Sequence, residues 1–395
     1  LRILHLSHEG LPDWRIEKSA ISASNVGHEV MFGGRNPTNY YNRNTFSKIY
    51  KINWTAKARL GIPLYWRSVK KQFERVIRET KPDLVHAHNI FSAKMISEFD
   101  IPFVYDDHEY WSRHSQLLTE MAGKLSWRGK AKDEDDNNNN IAVELPRKVR
   151  RLLINNYAIH LWTKWEKEVV SSHPTITVSD EIAQGLMVIG NNNNNIKKVF
   201  VVPNFPMRDE VKHSEKPEFH NRLSSVYAGG DGYNIEKYPN RNIDGLTDIF
   251  SNHDNIGDLT IIGWKEEKSS SSSRIKYMGY LAREYMYNEM FKHSIGLIPW
   301  KKHWSHVFVS PNKAYEYAHA GLFIICTSSL KTVQETLKNN CSTFEGYDDM
   351  ASELEYYKHN MKELYYKRLK VFEFARDNLI WEKYSENIFH AYKLC

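Results

Sequence analysis

The sequence predicts an α/β protein built from two parallel sheets, each covered by helices, and three observations carry that expectation. Strand and helix patterns alternate along the first half of the chain. A second alternating run follows Val199–Asn204, and the end of the chain, Met350 to Leu394, is helical in pattern. With 395 residues, 41% of them hydrophobic, the chain can fill two cores of ordinary size.

In order, Leu1 to Leu6 reads as a strand, Asp13 to Val26 as a helix, Glu29 to Phe32 as a strand and Leu64 to Thr80 as a long amphipathic helix. Leu84–His88, Pro102–Tyr105 and Thr175–Val178 continue the strands. Pro203 and Pro206, followed by the polar stretch Arg208 to His220, mark the linker. The second unit supplies Ser225–Ala228, Leu259–Ile262, Ile295–Ile298 and Leu322–Cys326. Parallel sheets of this kind bind ligands beyond the carboxyl ends of their strands.

Composition narrows the partners. The net charge of +6 comes with 48 acidic residues, which suits anionic small molecules or a membrane surface better than nucleic acid. Cys326, Cys341 and Cys395 are too few and too scattered for a disulfide framework or a zinc cage, so a reducing, cytoplasmic compartment is expected. No run of about twenty apolar residues predicts a membrane span, and the apolar start is too short for a signal peptide. Leu1 is not expected to be the translation start. Asn137–Asn140, Asn191–Asn195 and Ser269–Ser273 read as low-complexity loops.

Val309 to Gly321 is the most informative stretch. Ser310 is placed to cap a helix and Pro311 suits the first helical position, so the first turn presents its N–H groups and the positive end of the peptide dipole to an anion. Lys313 adds a full charge there, and Glu316, one turn on, can accept two hydrogen bonds from a vicinal diol such as a ribose. Gly321 ends the helix before an apolar strand. Gly229 and Gly230, after a predicted strand, form a weaker phosphate-approach signal.

The stretch resembles the donor-binding signature of the retaining GT-B glycosyltransferases of family four, in which a Pro-x-Lys-x-x-Glu-Tyr helix holds a nucleotide-sugar. Other matches follow in the right order: Asp13–Ile16 with Gly27–Val30, Pro82–His88, Val104–Glu109, Trp165–Glu166, Thr177–Asp180 and Val202–Asn204. The resemblance implies two Rossmann-like domains facing each other across a cleft, with the C-terminal helix crossing back to the first. The boundaries it suggests are 1–205 plus about 376–395 for the acceptor side, and 206–375 for the nucleotide-sugar. It implies donor contacts from Ser310, Pro311, Asn312, Lys313, Glu316, Gly229, Gly230 and Arg15, and phosphate contacts from Arg241, with Lys237 second. His108 and Glu109 become the catalytic candidates, His88 and Asp107 the acceptor-side ones. The bland counterpart for His108 is a histidine satisfying a loop carbonyl, and for Glu109 the cap of a following turn.

The implied reaction moves a sugar from a UDP- or GDP-sugar co-substrate to a glycan or polyprenyl-linked acceptor, with no cofactor and no metal. Asp106, Asp107 and His108 cannot all converge on an ion, because adjacent strand residues face opposite ways. The chain departs from the family at Phe308, where many members carry a second Glu; the loop Lys301–His306 can substitute. Leu153, Tyr157, Leu161 and Trp165 recur at four-residue spacing beside Lys164 and Lys167, a pattern that either packs into the first domain or lies on the inner face of an anionic membrane. Two rival functions remain: a nucleotide-sugar epimerase of the same architecture, and a non-catalytic subunit that binds sugar-nucleotide or glycan.

Overall fold

The computed structural model describes residues 1–35, 45–117, 120, 141–190, 198–211, 215–229, 238–264 and 273–395, with backbone alone for 141–149 and 151. The chain divides into two compact units, Leu1–Asn204 with Glu382–Cys395, and Phe205–Trp381.

Unit 1 is built on a seven-stranded sheet: β1 (Arg2–Ser7), β2 (Glu29–Gly34), β3 (Lys48–Lys51), β4 (Leu84–His88), β5 (Phe103–Asp107), β6 (Thr175–Thr177) and β7 (Val199–Val201), in the order β3-β2-β1-β4-β5-β6-β7. Every pairing is parallel. β4 and β5 are buried at all positions, as strands covered on both faces must be. Asp13 caps the helix Trp14–Asn25 by accepting from the N–H groups of Arg15 and Ile16. The helix Pro63–Thr80 buries Val69, Phe73, Val76 and Thr80, a spacing of four and three that puts them on one face.

Unit 2 repeats the plan with β8 (Ser224–Ala228), β9 (Asp258–Ile262), β10 (Ile275–Gly279), β11 (Ile295–Ile298), β12 (Phe323–Thr327) and β13 (Cys341–Phe344), all parallel, in the order β10-β9-β8-β11-β12-β13. Both orders are that of the dinucleotide-binding α/β fold. The strand order reverses between β1 and β4 in one sheet and between β8 and β11 in the other, which opens a crevice at the carboxyl ends of those strands. Both candidate clusters described below lie there.

The predicted linker packs on unit 2. Gly321 has φ +64°, and a Cβ there would strike Pro217; its carbonyl accepts from Arg368 Nε at 2.8 Å, while Arg368 Nη1 donates to Glu218 O at 2.9 Å. The last helix, Glu386–Tyr392, belongs to unit 1, as the resemblance implied. Asn387 Nδ2 donates to Val201 O at 2.9 Å, and the Tyr392 hydroxyl lies 2.8 Å from His86 Nδ1. No helix among the described residues is long and apolar enough to cross a membrane.

Candidate functional site

In unit 2 the helix Asn312–His319 follows a 3-10 turn, Trp304–Phe308. It starts one residue later than the sequence suggests: Pro311 is the N-cap, with φ −74° and ψ 120°, and no side chain caps the first turn. Ser310 is therefore too far back to cap, and its hydroxyl instead lies 2.6 Å from the Tyr315 hydroxyl. Proline has no side-chain acceptor to offer, and within the first turn the Ala314 N–H donates to Pro311 O at 3.0 Å, so an outside anion meets the positive end of the helix dipole without a competing side-chain cap. Asn312 is exposed at the first helical position.

Lys313 extends back over β8. Its Nζ sits 4.2 Å from the centre of the Tyr227 ring and 5.1 Å from that of Trp300. A Cβ at Gly229 would collide with this Nζ, so the glycine is what lets the ammonium reach the strand end. Arg241, on the turn Pro239–Arg241, comes to 5.9 Å from the same Trp300 ring and 5.2 Å from Tyr238. The structure thus gathers Gly229, Lys313 and Arg241 around one indole. Gly230 and Lys237 lie outside the described residues.

Glu316 is nearly buried, and its Oε1 pairs with Arg283 Nη1 at 2.9 Å. Arg283 Nε also faces Glu210 Oε1 at 3.3 Å. Burial pulls the Arg283 pKa down, but Glu316, Tyr287 and Glu210 more than reverse this and hold the guanidinium charged. No local sequence signal points to Arg283, which lies 33 residues from Glu316. The loop 301–306 is turned to structural partners: Lys302 pairs with Glu345, and buried His306 reaches Asn240 O through Nε2 and the Ser329 hydroxyl through Nδ1. Burial lowers the His306 pKa to about 4, so a neutral ring steadies the turn that carries Arg241.

In unit 1 the carboxyl ends of β1, β4 and β5 bring His5, His86, His88, Asp106 and His108 together. Asp106 Oδ2 lies 3.1 Å from His86 Nε2, 3.5 Å from His88 Nδ1 and 3.4 Å from His108 Nε2. Arg15 donates to its two oxygens from Nε at 2.9 and 3.1 Å and from Nη2 at 2.8 Å. Arg15 Nη1 donates to Val202 O and Asn204 Oδ1. All three guanidinium nitrogens are therefore engaged inside unit 1, and the expected donor contact of Arg15 gives way to a buried ion pair. Burial works against the Asp106 charge, yet Arg15 and His108 leave its pKa well below the carboxylate range. Burial likewise works against a charge on His108, and Asp106 overrides it, so the His108 pKa is raised.

A carboxylate only accepts, so His86 donates to Asp106 from Nε2 and accepts from the Tyr392 hydroxyl at Nδ1. His88 Nδ1 lies 3.1 Å from His108 Nε2, and its Nε2 lies 2.9 Å from His5 Nδ1. Burial first, then neighbouring histidines, lowers the pKa of His5 and His88 well below normal. His88 is thus a buried link behind His108. Glu109 does not orient His108: its Oε2 faces His114 Nε2 at 3.2 Å, and the orienting carboxylate is Asp106. Two triads, His5/His86/His88 and His88/Asp106/His108, have ligand atoms close enough to hold a metal. In the second, Asp106 already carries the Arg15 guanidinium, whose charge opposes a cation there.

Asp107 faces away from this cluster. Its Oδ1 accepts from Tyr110 N at 3.1 Å, and it shares a buried environment with Glu166, whose Oε2 accepts from Ser112 N at 3.1 Å. The acceptor-side expectation for Asp107 therefore gives way to a fully buried carboxyl.

No protein-family model matches the chain, and no curated protein does. Solved structures match over its whole length. Sucrose-phosphate synthase from Thermosynechococcus elongatus aligns with a TM-score of 0.65 at 11% identity, covering 99% of this chain and 98% of that one. HepE from Anabaena in complex with UDP gives 0.63 at 10%, covering 100% of both. An alpha-glucosyltransferase in complex with UDP-glucose and DNA containing an abasic site gives 0.56 at 10%, covering 99% of both. The fold is GT-B. At such identity the likeness speaks for the GT-B fold, and the chemistry rests on the residues above.

Burial pushes Asp107 up to about 7 and Glu166 up to about 8. Between roughly pH 4 and 8 the folded pair holds protons that the unfolded chain, with ordinary carboxyls, has released, so its contribution to stability falls as pH rises through that window. Glu166→Gln keeps an acceptor for Ser112 but removes one titration. Its stability relative to wild type should improve by at least about 1 kcal/mol, roughly one pKa unit, between pH 5 and pH 8.5. Urea unfolding at the two pH values measures this, and an unchanged difference would mean that Glu166 is ionised in the fold at pH 5.

Proposed function

We propose that the chain is a retaining, metal-independent glycosyltransferase that takes a sugar from a UDP- or GDP-sugar held by unit 2 and passes it to a glycan or polyprenyl-linked acceptor. One observation carries the reading. Lys313 and Arg241, from different elements, share the Trp300 ring beside Gly229 and an uncapped helix start, which is a counter-charge for a diphosphate. The solved GT-B structures that hold UDP and UDP-glucose favour a nucleotide diphosphate in that place.

In this reading the acceptor oxygen forms a bond to the anomeric carbon as the bond from that carbon to the phosphate oxygen breaks. The acceptor proton passes to the departing phosphate on the same face, which retains configuration without a covalent intermediate. Lys313, Arg241 and the helix dipole stabilise the leaving diphosphate, and Glu316, fixed by Arg283, accepts from the ribose hydroxyls. His108, oriented by Asp106, positions sugar or acceptor hydroxyls in unit 1. The helix Ile141–Ser172 buries Trp162 and Trp165 but exposes Leu152, Leu153 and Tyr157, which suits contact with the inner face of a membrane from the cytoplasm.

Lys313→Ala should weaken UDP binding about ten- to hundredfold, the loss of one charged hydrogen bond. Calorimetric titration measures it, and unchanged affinity would remove the diphosphate from this helix. His108→Ala should bind UDP as wild type does but transfer sugar at least about a hundredfold more slowly. Near-normal transfer would reduce His108 to a structural residue. Turnover should persist in EDTA, since cations of the protein take the place of a metal ion; complete loss that added metal restores would show otherwise.

A further inference from the structure

Unit 1 holds a cavity of about 390 Å³ just beyond β1, lined by His8, Glu9, Leu11, Arg35, Trp54 and Arg59. The donor reading uses none of these residues. The volume is that of a small-molecule site rather than a packing defect.

Its lining is chemically specific. The Arg59 guanidinium lies 5.7 Å from the centre of the Phe91 ring, and among the described residues neither Arg59 nor Arg35 has a carboxylate within ion-pair distance. Arg35 is tied to the cavity wall by its backbone, its N–H donating to Glu9 O at 2.9 Å. Trp54 is buried, and among the described residues its indole N–H has no acceptor. A buried donor without a partner costs free energy that a ligand oxygen would recover. His8 sits edge-on to Phe91 at 4.6 Å and to Trp111 at 5.8 Å. Burial, with Arg59 next, lowers its pKa to about 3, so it brings no charge. Glu9 is half exposed at the rim, its Oε1 3.7 Å from His8 Nε2. Two guanidiniums against one rim carboxylate leave the cavity positive, with flat aromatic walls. Planar guanidinium forks match phosphoryl oxygens in pairs, and a rim carboxylate suits hydroxyl groups.

We propose that this cavity is a subsite for the phosphoryl group of a phosphorylated sugar, gripped by Arg35 and Arg59, with the Trp54 indole N–H as neutral donor and Glu9 accepting from a ring hydroxyl. Calling that sugar the acceptor rests on the glycosyltransferase reading; the binding does not. The group can arrive free in solution or on a lipid headgroup, and the test separates the two.

Titration calorimetry with glucose 6-phosphate, methyl glucoside and UDP, and flotation with phosphatidylcholine vesicles carrying a phosphoinositide, are run on wild type, Arg35→Gln and Arg59→Gln. Glucose 6-phosphate should bind, methyl glucoside at least tenfold more weakly, and either variant should lose at least tenfold in affinity for the phosphosugar while holding UDP as wild type does. Vesicle binding lost in the variants, without binding of glucose 6-phosphate, assigns the phosphoryl group to a lipid. Arg35 is exposed, so its variant folds even if Arg59→Gln, which gives up contact with Phe91, does not. The inference is overturned if neither phosphate source binds, if methyl glucoside binds equally well, if Arg35→Gln binds as wild type does, or if UDP displaces glucose 6-phosphate. Failure of UDP to bind at all, with phosphosugar binding intact, would instead sink the donor reading and leave this one standing.

Discussion

Asp106 has no exposed surface, yet the groups around it keep it charged, and stripping water from a carboxylate costs several kcal/mol unless its oxygens are fully engaged. Arg15 supplies the opposite charge and three hydrogen bonds; His86 supplies another, with His88 and His108 close by. These partners come from separate pieces of unit 1. Arg15 brings the start of the first helix and, through Val202 and Asn204, the end of the last strand. His86 brings β4 and, through Tyr392, the C-terminal helix. Removing any one partner leaves a buried charge short of compensation, so the order of the unit and the orientation of His108 are set by the same carboxylate.

Unit 2 places its charges differently. Lys313 and Arg241 are positioned over aromatic faces, with the Trp300 ring shared by both cations and the Tyr227 ring beneath Lys313. Gly229 lets the ammonium come close, and neutral His306 steadies the turn that carries the guanidinium. Glu316, by contrast, is fixed by Arg283, a guanidinium that it shares with Glu210, which suits a carboxylate meant for neutral hydroxyls. One end of the proposed donor site thus presents cations and the other carboxylates held by a guanidinium.

The central strands were legible because burial on both faces demands apolar runs: β1, β4, β8, β11 and β12 were read from the sequence at nearly their observed bounds. The strands β3, β10 and β13 were not, and all three are sheet edges whose half-exposed residues, such as Lys48 to Lys51, make no such run. The helix near Pro311 starts one residue later than the Ser-Pro pattern indicates, since Ser-Pro suits either cap register and the Ser310 hydroxyl meets that of Tyr315, five residues on. Local pattern singles out Lys313 and Glu316 as candidates, and the family resemblance adds His108. Neither points to Arg283 as partner of Glu316 or to Asp106 as partner of His108, because those pairings depend on which strand ends and helix starts the sheet order brings side by side.

The end of β5 shows how little sequence such a distinction needs. Asp106 and Asp107 are adjacent, identical in chemistry and equally buried, but strand alternation sends them to opposite faces. On one face Arg15 and the histidines meet Asp106, and its pKa falls. On the other Asp107 meets Glu166, a second carboxyl, and burial pushes both upward. His108, two residues from Asp106, returns to the first face and inherits the ionised carboxylate as its partner. One residue of register would exchange these environments, leaving the histidine beside a protonated carboxyl and without the charge that raises its own pKa. The electrostatics at His108 are therefore a consequence of the pairing of β5 with β4, not of the acidic residues alone.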